Sequence, residues 1–102
     1  MKKAYLLIYS SELGSREEVK SWANELPVIT WRYDLPNTFY LISEASASEL
    51  YESLIAKLGK KGRFLIIEAG ENRQGLLPPN TWHLLRTKTH KPKAATQQKN
   101  VM

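Results

Sequence analysis

Apolar and polar positions along the chain alternate in blocks that predict four strands. Four apolar or aromatic runs of five or six residues are too short for buried helices and rich in aromatic and β-branched side chains, which favours strands. These runs are residues 4–9, 28–33, 38–42 and 63–68. Turn-forming residues 34–37 separate the second run from the third, so these two strands are predicted to form a hairpin.

Two helices are predicted between the strands, and each begins with a capping box. Residues 15–18 read Ser-Arg-Glu-Glu and residues 46–49 read Ser-Ala-Ser-Glu. In this motif the serine hydroxyl accepts from a helix amide while the glutamate reaches back to the serine amide. Apolar residues follow each box at helical spacing. Pro27 ends the first predicted helix and Gly59 the second.

The order strand, helix, strand, strand, helix, strand defines a fold class. Two right-handed crossovers joined by a hairpin give an α+β, ferredoxin-like βαββαβ fold, with antiparallel strands in the order 4-1-3-2 and two helices on one face. Residues 70–79 read as a loop and residues 80–86 as a short helical turn capped by Asn80. We predict one domain over residues 1–86 and a basic, mobile tail over residues 87–102.

The second face of this predicted sheet has no helix to cover it. A sheet with one solvated face alternates apolar and polar residues, but the first, third and fourth strands are apolar or aromatic at nearly every position. We expect cover from the segment after Gly70, from a second copy of the chain, or from both, and favour a two-fold homodimer. The residues expected on the sheet or dimer face are Tyr5, Tyr9, Tyr40 and Trp82.

Length and composition narrow the possible functions. A chain of 102 residues forms one small domain with a thin core, which a partner chain would help to cover. The absence of cysteine excludes disulfides, zinc–thiolate sites and thiol nucleophiles. The first apolar run is too short for a signal peptide, and no stretch approaches the length of a membrane span. We expect a soluble, cytoplasmic protein with no membrane partner and no small-molecule cofactor.

Positive charge is concentrated near the C-terminus. Residues 1–71 carry nine Lys and Arg and all ten acidic residues, whereas residues 72–102 carry six Lys and Arg and no acidic residue. Such a segment can attract phosphates by counterion release, although a solvated tail without a ligand is the plainer interpretation. The residues expected to contact nucleic acid are Arg73, Arg86, Lys88, Lys91 and Lys93, with Lys60 and Lys61 as a second patch.

Several segments between residues 3 and 86 together resemble a known family. They are the strand ending at Tyr9, the hairpin of residues 31–42, the helix of residues 46–58, the strand of residues 64–68, and Asn-Arg-Gln-Gly at residues 72–75 followed by Leu77, Pro78 and Trp82. This combination resembles small ferredoxin-like proteins related to the CRISPR-associated Cas-two family, and more so its stand-alone, SinR-like relatives. Members are homodimers; some cut RNA or DNA with a divalent metal held by an aspartate that ends the first strand, and others only bind DNA.

The position that this resemblance gives to the catalytic aspartate is occupied by Ser10. A hydroxyl is a poor magnesium ligand, because this hard cation prefers anionic oxygen. A rebuilt site would have to use Glu12 and Asp34, or their copies in a dimer. We therefore expect a nucleic-acid-binding homodimer without robust catalysis. A magnesium-dependent nuclease is the alternative, and an interaction or structural protein without a ligand is a further one.

Aromatic residues in the first and third strands suggest one more alternative. In single-stranded RNA platforms of this topology, rings on these two strands stack on bases. The third strand lacks the basic-glycine-aromatic signature of such platforms, and rings that face a core or a dimer seam are the ordinary case. The residues that would form the platform are Tyr5, Tyr9, Phe39 and Tyr40.

Overall fold

A computed structural model of the chain describes residues 1–59 and 62–90. In chain order its elements are β1 (Lys3–Tyr9), a 3₁₀ helix (Ser11–Leu13), α1 (Arg16–Ala23), β2 (Thr30–Arg32), β3 (Thr38–Ser43), α2 (Ala47–Leu58), β4 (Phe64–Glu68) and α3 (Pro79–Thr87). Four residues predicted to contact nucleic acid lie outside the described residues, namely Lys60, Lys61, Lys91 and Lys93. None of the described helices has the length and apolar character that crossing a bilayer requires.

The four strands form one antiparallel sheet, which confirms the predicted α+β, ferredoxin-like fold. Counted from the β4 edge, the strand order is β4-β1-β3-β2, as predicted. Leu7 at the centre of β1 lies opposite Phe39 of β3 on one side and Ile66 of β4 on the other. β2 is shorter than the predicted run of residues 28–33. Before it begins, the Val28 amide donates to the Leu26 carbonyl at 2.7 Å and not to the sheet.

The helices α1 and α2 begin at the two predicted capping boxes. The Ser15 amide donates to the Glu18 carboxylate at 2.8 Å, and the Glu18 amide donates to the Ser15 hydroxyl at 3.2 Å. Ser46 and Glu49 form the same reciprocal pair at 2.7 and 3.1 Å. These bonds satisfy helix amides that would otherwise lack partners, so both helices start at the predicted residues.

The main core lies between these helices and one face of the sheet. Alternate residues of β1 and β3 point into it, because successive side chains of a strand face opposite sides. Its buried side chains are Tyr5, Leu7, Tyr9, Leu13, Val19, Ala23, Leu26, Phe39, Leu41, Leu50 and Leu54.

The other face of the sheet, called the outer face below, is partly covered by α3. Leu84 and Leu85 of α3 pack on Ala4, Tyr40 and Ile42 of the sheet, with Leu6, Ala69, Leu77 and Trp82 packed around them. The segment after Gly70 therefore returns over this face, which is one of the two kinds of cover expected from the sequence.

The N-terminus of α3 differs from the prediction. Pro78 is the N-cap and Pro79 the first helical residue, so Asn80 is not the cap. Proline suits this first position because its fixed φ matches the helix and an amide there would lack a partner in any case. α3 is a helix of nine residues that ends at Thr87, and the ring of His90 lies 2.7 Å from the Thr30 hydroxyl of β2.

Candidate nucleic-acid interface

Ser10 stands where the resemblance places the catalytic aspartate, and it differs from nearby Glu12 in its surroundings. The Ser10 hydroxyl accepts a hydrogen bond of 3.1 Å from the amide of Arg63, and the Ser10 amide donates to the Arg63 carbonyl at 2.8 Å. Ser10 thus ties the end of β1 to the residue that precedes β4. Glu12 is exposed in the 3₁₀ helix. Within residues 1–59 and 62–90, no group of three or more His, Asp or Glu side chains is placed to hold a metal ion.

Asp34 is engaged in a polar network beneath α3. One carboxylate oxygen accepts from the Tyr40 hydroxyl at 2.9 Å, and the other accepts from the Thr81 hydroxyl. Thr81 in turn accepts from the Arg32 guanidinium at 2.6 Å. Burial, reinforced by the Asp34 carboxylate, raises the pKa of Tyr40. Through these bonds Asp34 joins the hairpin of β2 and β3 to α3.

The aromatic residues predicted for an RNA platform are not on an open surface. Tyr5, Tyr9 and Phe39 are buried beneath α1 and α2, and the Tyr5 hydroxyl donates to the Ala45 carbonyl at 2.7 Å. Tyr40 is buried on the outer face beneath α3. The platform hypothesis is therefore wrong, because none of these rings can reach a base. For the same reason Tyr5 and Tyr9 cannot form a dimer face, whereas Trp82 is only half-buried on the outer face.

Basic residues from three parts of the chain meet where β1 begins and β4 ends. They surround a depression of about 230 Å³, called the basic depression below. Its charged lining residues are Lys2, Lys3, Glu68, Glu71, Arg73 and Lys88. In the described part of the chain, the ion pairs within 4.0 Å are Arg32–Asp34 and Lys57–Glu25, so none of the four cations of the depression is paired there.

Two of these cations, Arg73 and Lys88, were predicted to contact nucleic acid, and the fold brings them together. Arg73 donates to the Gly70 carbonyl at 2.6 Å, which fixes its side chain against the loop after β4. Lys88 follows the last turn of α3 in a left-handed conformation. Arg86 is exposed in that last turn and is not among the residues that line the depression. Lys2 and Lys3 were not predicted to contact nucleic acid, although the antiparallel pairing of β1 with β4 places the start of β1 beside the end of β4.

A group of exposed aliphatic side chains lies on the outer face beyond the cover of α3. Ile8, Leu65 and Ile67 are 41%, 54% and 47% exposed. The strand register places Ile8 directly opposite Leu65 and Leu6 opposite Ile67, so these side chains are contiguous on β1 and on the edge strand β4. We call Ile8, Leu65 and Ile67 the apolar patch. It is aliphatic, whereas the face expected from the sequence was aromatic.

No protein-family model, curated protein or solved structure matches this chain. The ferredoxin-like fold hosts many unrelated functions, so the fold alone does not assign one. The resemblance to Cas-two-related proteins stays a prediction based on sequence segments.

Proposed function

We propose that this protein binds nucleic acid through phosphate contacts centred on the basic depression, and that it does not cleave its ligand. The observation that carries this proposal is the convergence of Lys2, Lys3, Arg73 and Lys88 around one concave surface. Lysine and arginine bind phosphates by displacing counterions, which gives affinity for any sequence. Contacts of this kind position a nucleic-acid strand without identifying its bases, so we expect little sequence preference.

The charge balance around the depression supports this ligand class. Four cationic side chains line it against two carboxylates, those of Glu68 and Glu71. By sequence, the chain continues past Lys88 with three more lysines and no acidic residue. These three lysines lie outside the described residues and add to the positive charge of the chain after Lys88.

The oxygen donors at the end of β1 do not suit magnesium-dependent cleavage. The Ser10 hydroxyl is engaged by the Arg63 amide, and it offers no anionic oxygen to a magnesium ion. Asp34 is occupied by Tyr40 and Thr81. The resemblance to Cas-two-related proteins is consistent with this separation, because some members of that family bind DNA without cutting it.

We also propose that two copies associate through the apolar patch. Contiguous exposed apolar side chains on a soluble domain commonly mark an interaction surface, and small homo-oligomers are most often two-fold dimers. The resemblance to Cas-two-related proteins implies the same state. A dimer would carry two basic depressions. One nucleic-acid strand that contacts both would be bound more tightly than by either depression alone.

The binding proposal is tested by fluorescence anisotropy with labelled single- and double-stranded RNA and DNA over a range of salt concentrations. The informative variant combines Lys3→Gln with Lys88→Gln and leaves Arg73 in place. Loss of two phosphate contacts should reduce the slope of log affinity against log salt by about 1.8 for double-stranded DNA. The matched control combines Lys20→Gln with Lys57→Gln, which changes the net charge equally at positions outside the depression.

Three results would contradict the proposal. The first is an absence of binding at low salt. The second is a control variant that lowers the slope as much as the test variant does, because binding would then follow net charge and not the depression. The third is magnesium-dependent cleavage of the labelled nucleic acid. That result would overturn the proposal that the protein does not cleave its ligand, and Glu12 and Asp34 would be the candidate metal ligands.

A further inference from the structure

A second concavity lies on the outer face, between the sheet and the loop that follows β4. Its volume is about 310 Å³. Leu6 and Tyr40 belong to the sheet, Trp82 belongs to α3, and Leu76 and Leu77 belong to the loop between them. We call this concavity the apolar cleft. It is distinct from the apolar patch, although Leu6 lies beside both.

The chemistry of the apolar cleft is asymmetric. Most of its lining is aliphatic or aromatic, and Arg73 is the one charged residue among the described residues that line it. The Tyr40 hydroxyl already donates to Asp34, so it is not free to donate to a ligand. The Arg73 guanidinium carries five N–H donors, of which one bonds the Gly70 carbonyl. Donors for an anion thus adjoin an apolar surface.

We infer that the apolar cleft binds a small amphiphilic anion, whose apolar chain lies against Leu6, Leu77 and Trp82 and whose negative group pairs with Arg73. The volume falls at the lower end of the range found for small-molecule sites, which is roughly 300 to 1,000 Å³. Mostly apolar walls with a few polar groups are typical of such sites. Leu76 is 96% exposed at the rim, and a bound chain would give this side chain an apolar neighbour.

The ligand class follows from charge complementarity. A neutral apolar molecule would make no use of the remaining donors of Arg73, whereas a carboxylate can accept two of them side by side. A strongly polar anion such as inorganic phosphate would leave the apolar walls uncovered. Octanoate combines a carboxylate with a short alkyl chain and serves as the probe, and octanol has the same chain without the charge.

The test is a titration of the ¹⁵N-labelled protein with octanoate and with octanol, followed by two-dimensional NMR. Both ligands should shift the amides of residues 73–77 and the indole resonance of Trp82, and octanoate should bind more tightly. In Arg73→Gln the affinity for octanoate should fall about tenfold while that for octanol stays the same, because a charge-assisted hydrogen bond is lost. Arg86→Gln is the matched control and should change neither affinity.

A second variant keeps the test decisive if Arg73→Gln alters the loop. Leu77→Ala removes apolar surface from the cleft wall and should weaken octanoate and octanol by the same factor. Octanoate that binds Arg73→Gln as tightly as the original protein, or that shifts no cleft resonance, would overturn the inference. Cleft resonances that respond to protein concentration and not to octanoate would also overturn it, since a second copy would then be the occupant. The variant Lys3→Gln/Lys88→Gln should still bind octanoate, so this result is separate from nucleic-acid binding.

Discussion

Tyr40 in β3 donates a hydrogen bond of 2.9 Å to Asp34, a residue of the hairpin turn that also accepts from Thr81 of α3. The bond therefore belongs to a network that joins the sheet, the hairpin and the C-terminal helix. Thr81 is fully buried and Tyr40 nearly so. Because buried polar groups are costly when they lack partners, this network fixes the position of α3 on the outer face.

Replacement of Thr81 by valine should detach this network from α3. Valine has nearly the same shape, but it cannot donate to Asp34 or accept from Arg32. We expect the free energy of unfolding to fall by about 1 to 3 kcal/mol, the usual cost of a buried polar group left without its partner. Urea denaturation followed by circular dichroism measures this. Asn80→Ala, at an exposed position of the same helix, should change stability by less than about 0.5 kcal/mol, and an equal loss in both variants would contradict the prediction.

Stability at alkaline pH should depend on Tyr40. Burial chiefly, and then Asp34, raise the pKa of Tyr40 above the ordinary tyrosine value of about 10. The unfolded chain ionises first as the pH rises, so the stability from neutral Tyr40 is complete below about pH 10 and is lost between that pH and the folded-state pKa. Unfolding free energies measured across this window should decline less steeply in Tyr40→Phe. Some decline should persist, because burial also raises the pKa of Tyr5 and Tyr9. Identical pH profiles for the two proteins would contradict this role.

The sequence was sufficient for the fold because its strongest signals are local. A capping box needs only two side chains three positions apart, and both predicted boxes are present at Ser15 and Ser46. Short strands, a turn at residues 34–37 and the handedness of crossovers then leave few topologies, among them the observed order β4-β1-β3-β2. The start of α3 was mispredicted because Asn80 and Pro79 are both ordinary start signals and only the structure decides between them.

The faces of the sheet could not be assigned from the sequence. β1 is apolar at nearly every position, so alternation does not reveal which residues face the helices. Tyr5 and Tyr9 consequently looked equivalent to Tyr40, although they lie on opposite faces. The bond between Asp34 and Thr81 spans 47 positions, and no local pattern announces it. Of the four cations that line the basic depression, only Arg73 and Lys88 were predicted. Lys2 and Lys3 come close to Arg73 through the pairing of β1 with β4, and no local pattern in the sequence shows this.

The helix α2 should lose stability when its capping box is broken. In Ser46→Ala the helix loses the hydroxyl that accepts from the Glu49 amide, and we expect a cost of about 1 kcal/mol. Hydrogen bonds from the Ser46 amide, and then from its side chain, lower the pKa of Glu49. The stability that Glu49 adds is therefore present above the ordinary glutamate pKa and is lost as the pH falls through the lowered value.

Thermal unfolding at neutral and acidic pH measures this effect of the α2 box. Ser46→Ala keeps the amide bond to Glu49 and loses only the side-chain bond, so the difference between the original protein and this variant should shrink modestly as the pH is lowered. Ser48→Ala is the matched control, since Ser48 is an exposed serine inside the same helix and should show no such loss. A difference that stays constant down to acidic pH would show that the Ser46 side chain adds nothing to the stabilisation of the ionised Glu49 carboxylate.

Self-association should depend on the apolar patch. Leu65 is exposed on the edge strand β4, so Leu65→Asp should leave the fold of a single copy intact. In a dimer built on this patch the new carboxylate would be buried without a partner, and we expect the dimer to dissociate at least about tenfold more readily. Sedimentation velocity over a range of protein concentrations measures this shift.

The matched control for self-association is Ile29→Asp. Ile29 is exposed to a similar degree but lies next to β2, at the opposite edge of the sheet from the patch. It should leave the dissociation constant unchanged. If the original protein sediments as a single copy at every concentration, the patch does not join two copies. If Ile29→Asp dissociates the dimer and Leu65→Asp does not, the interface lies at the β2 edge. The two basic depressions would then not be brought together through β4 to hold one nucleic-acid strand.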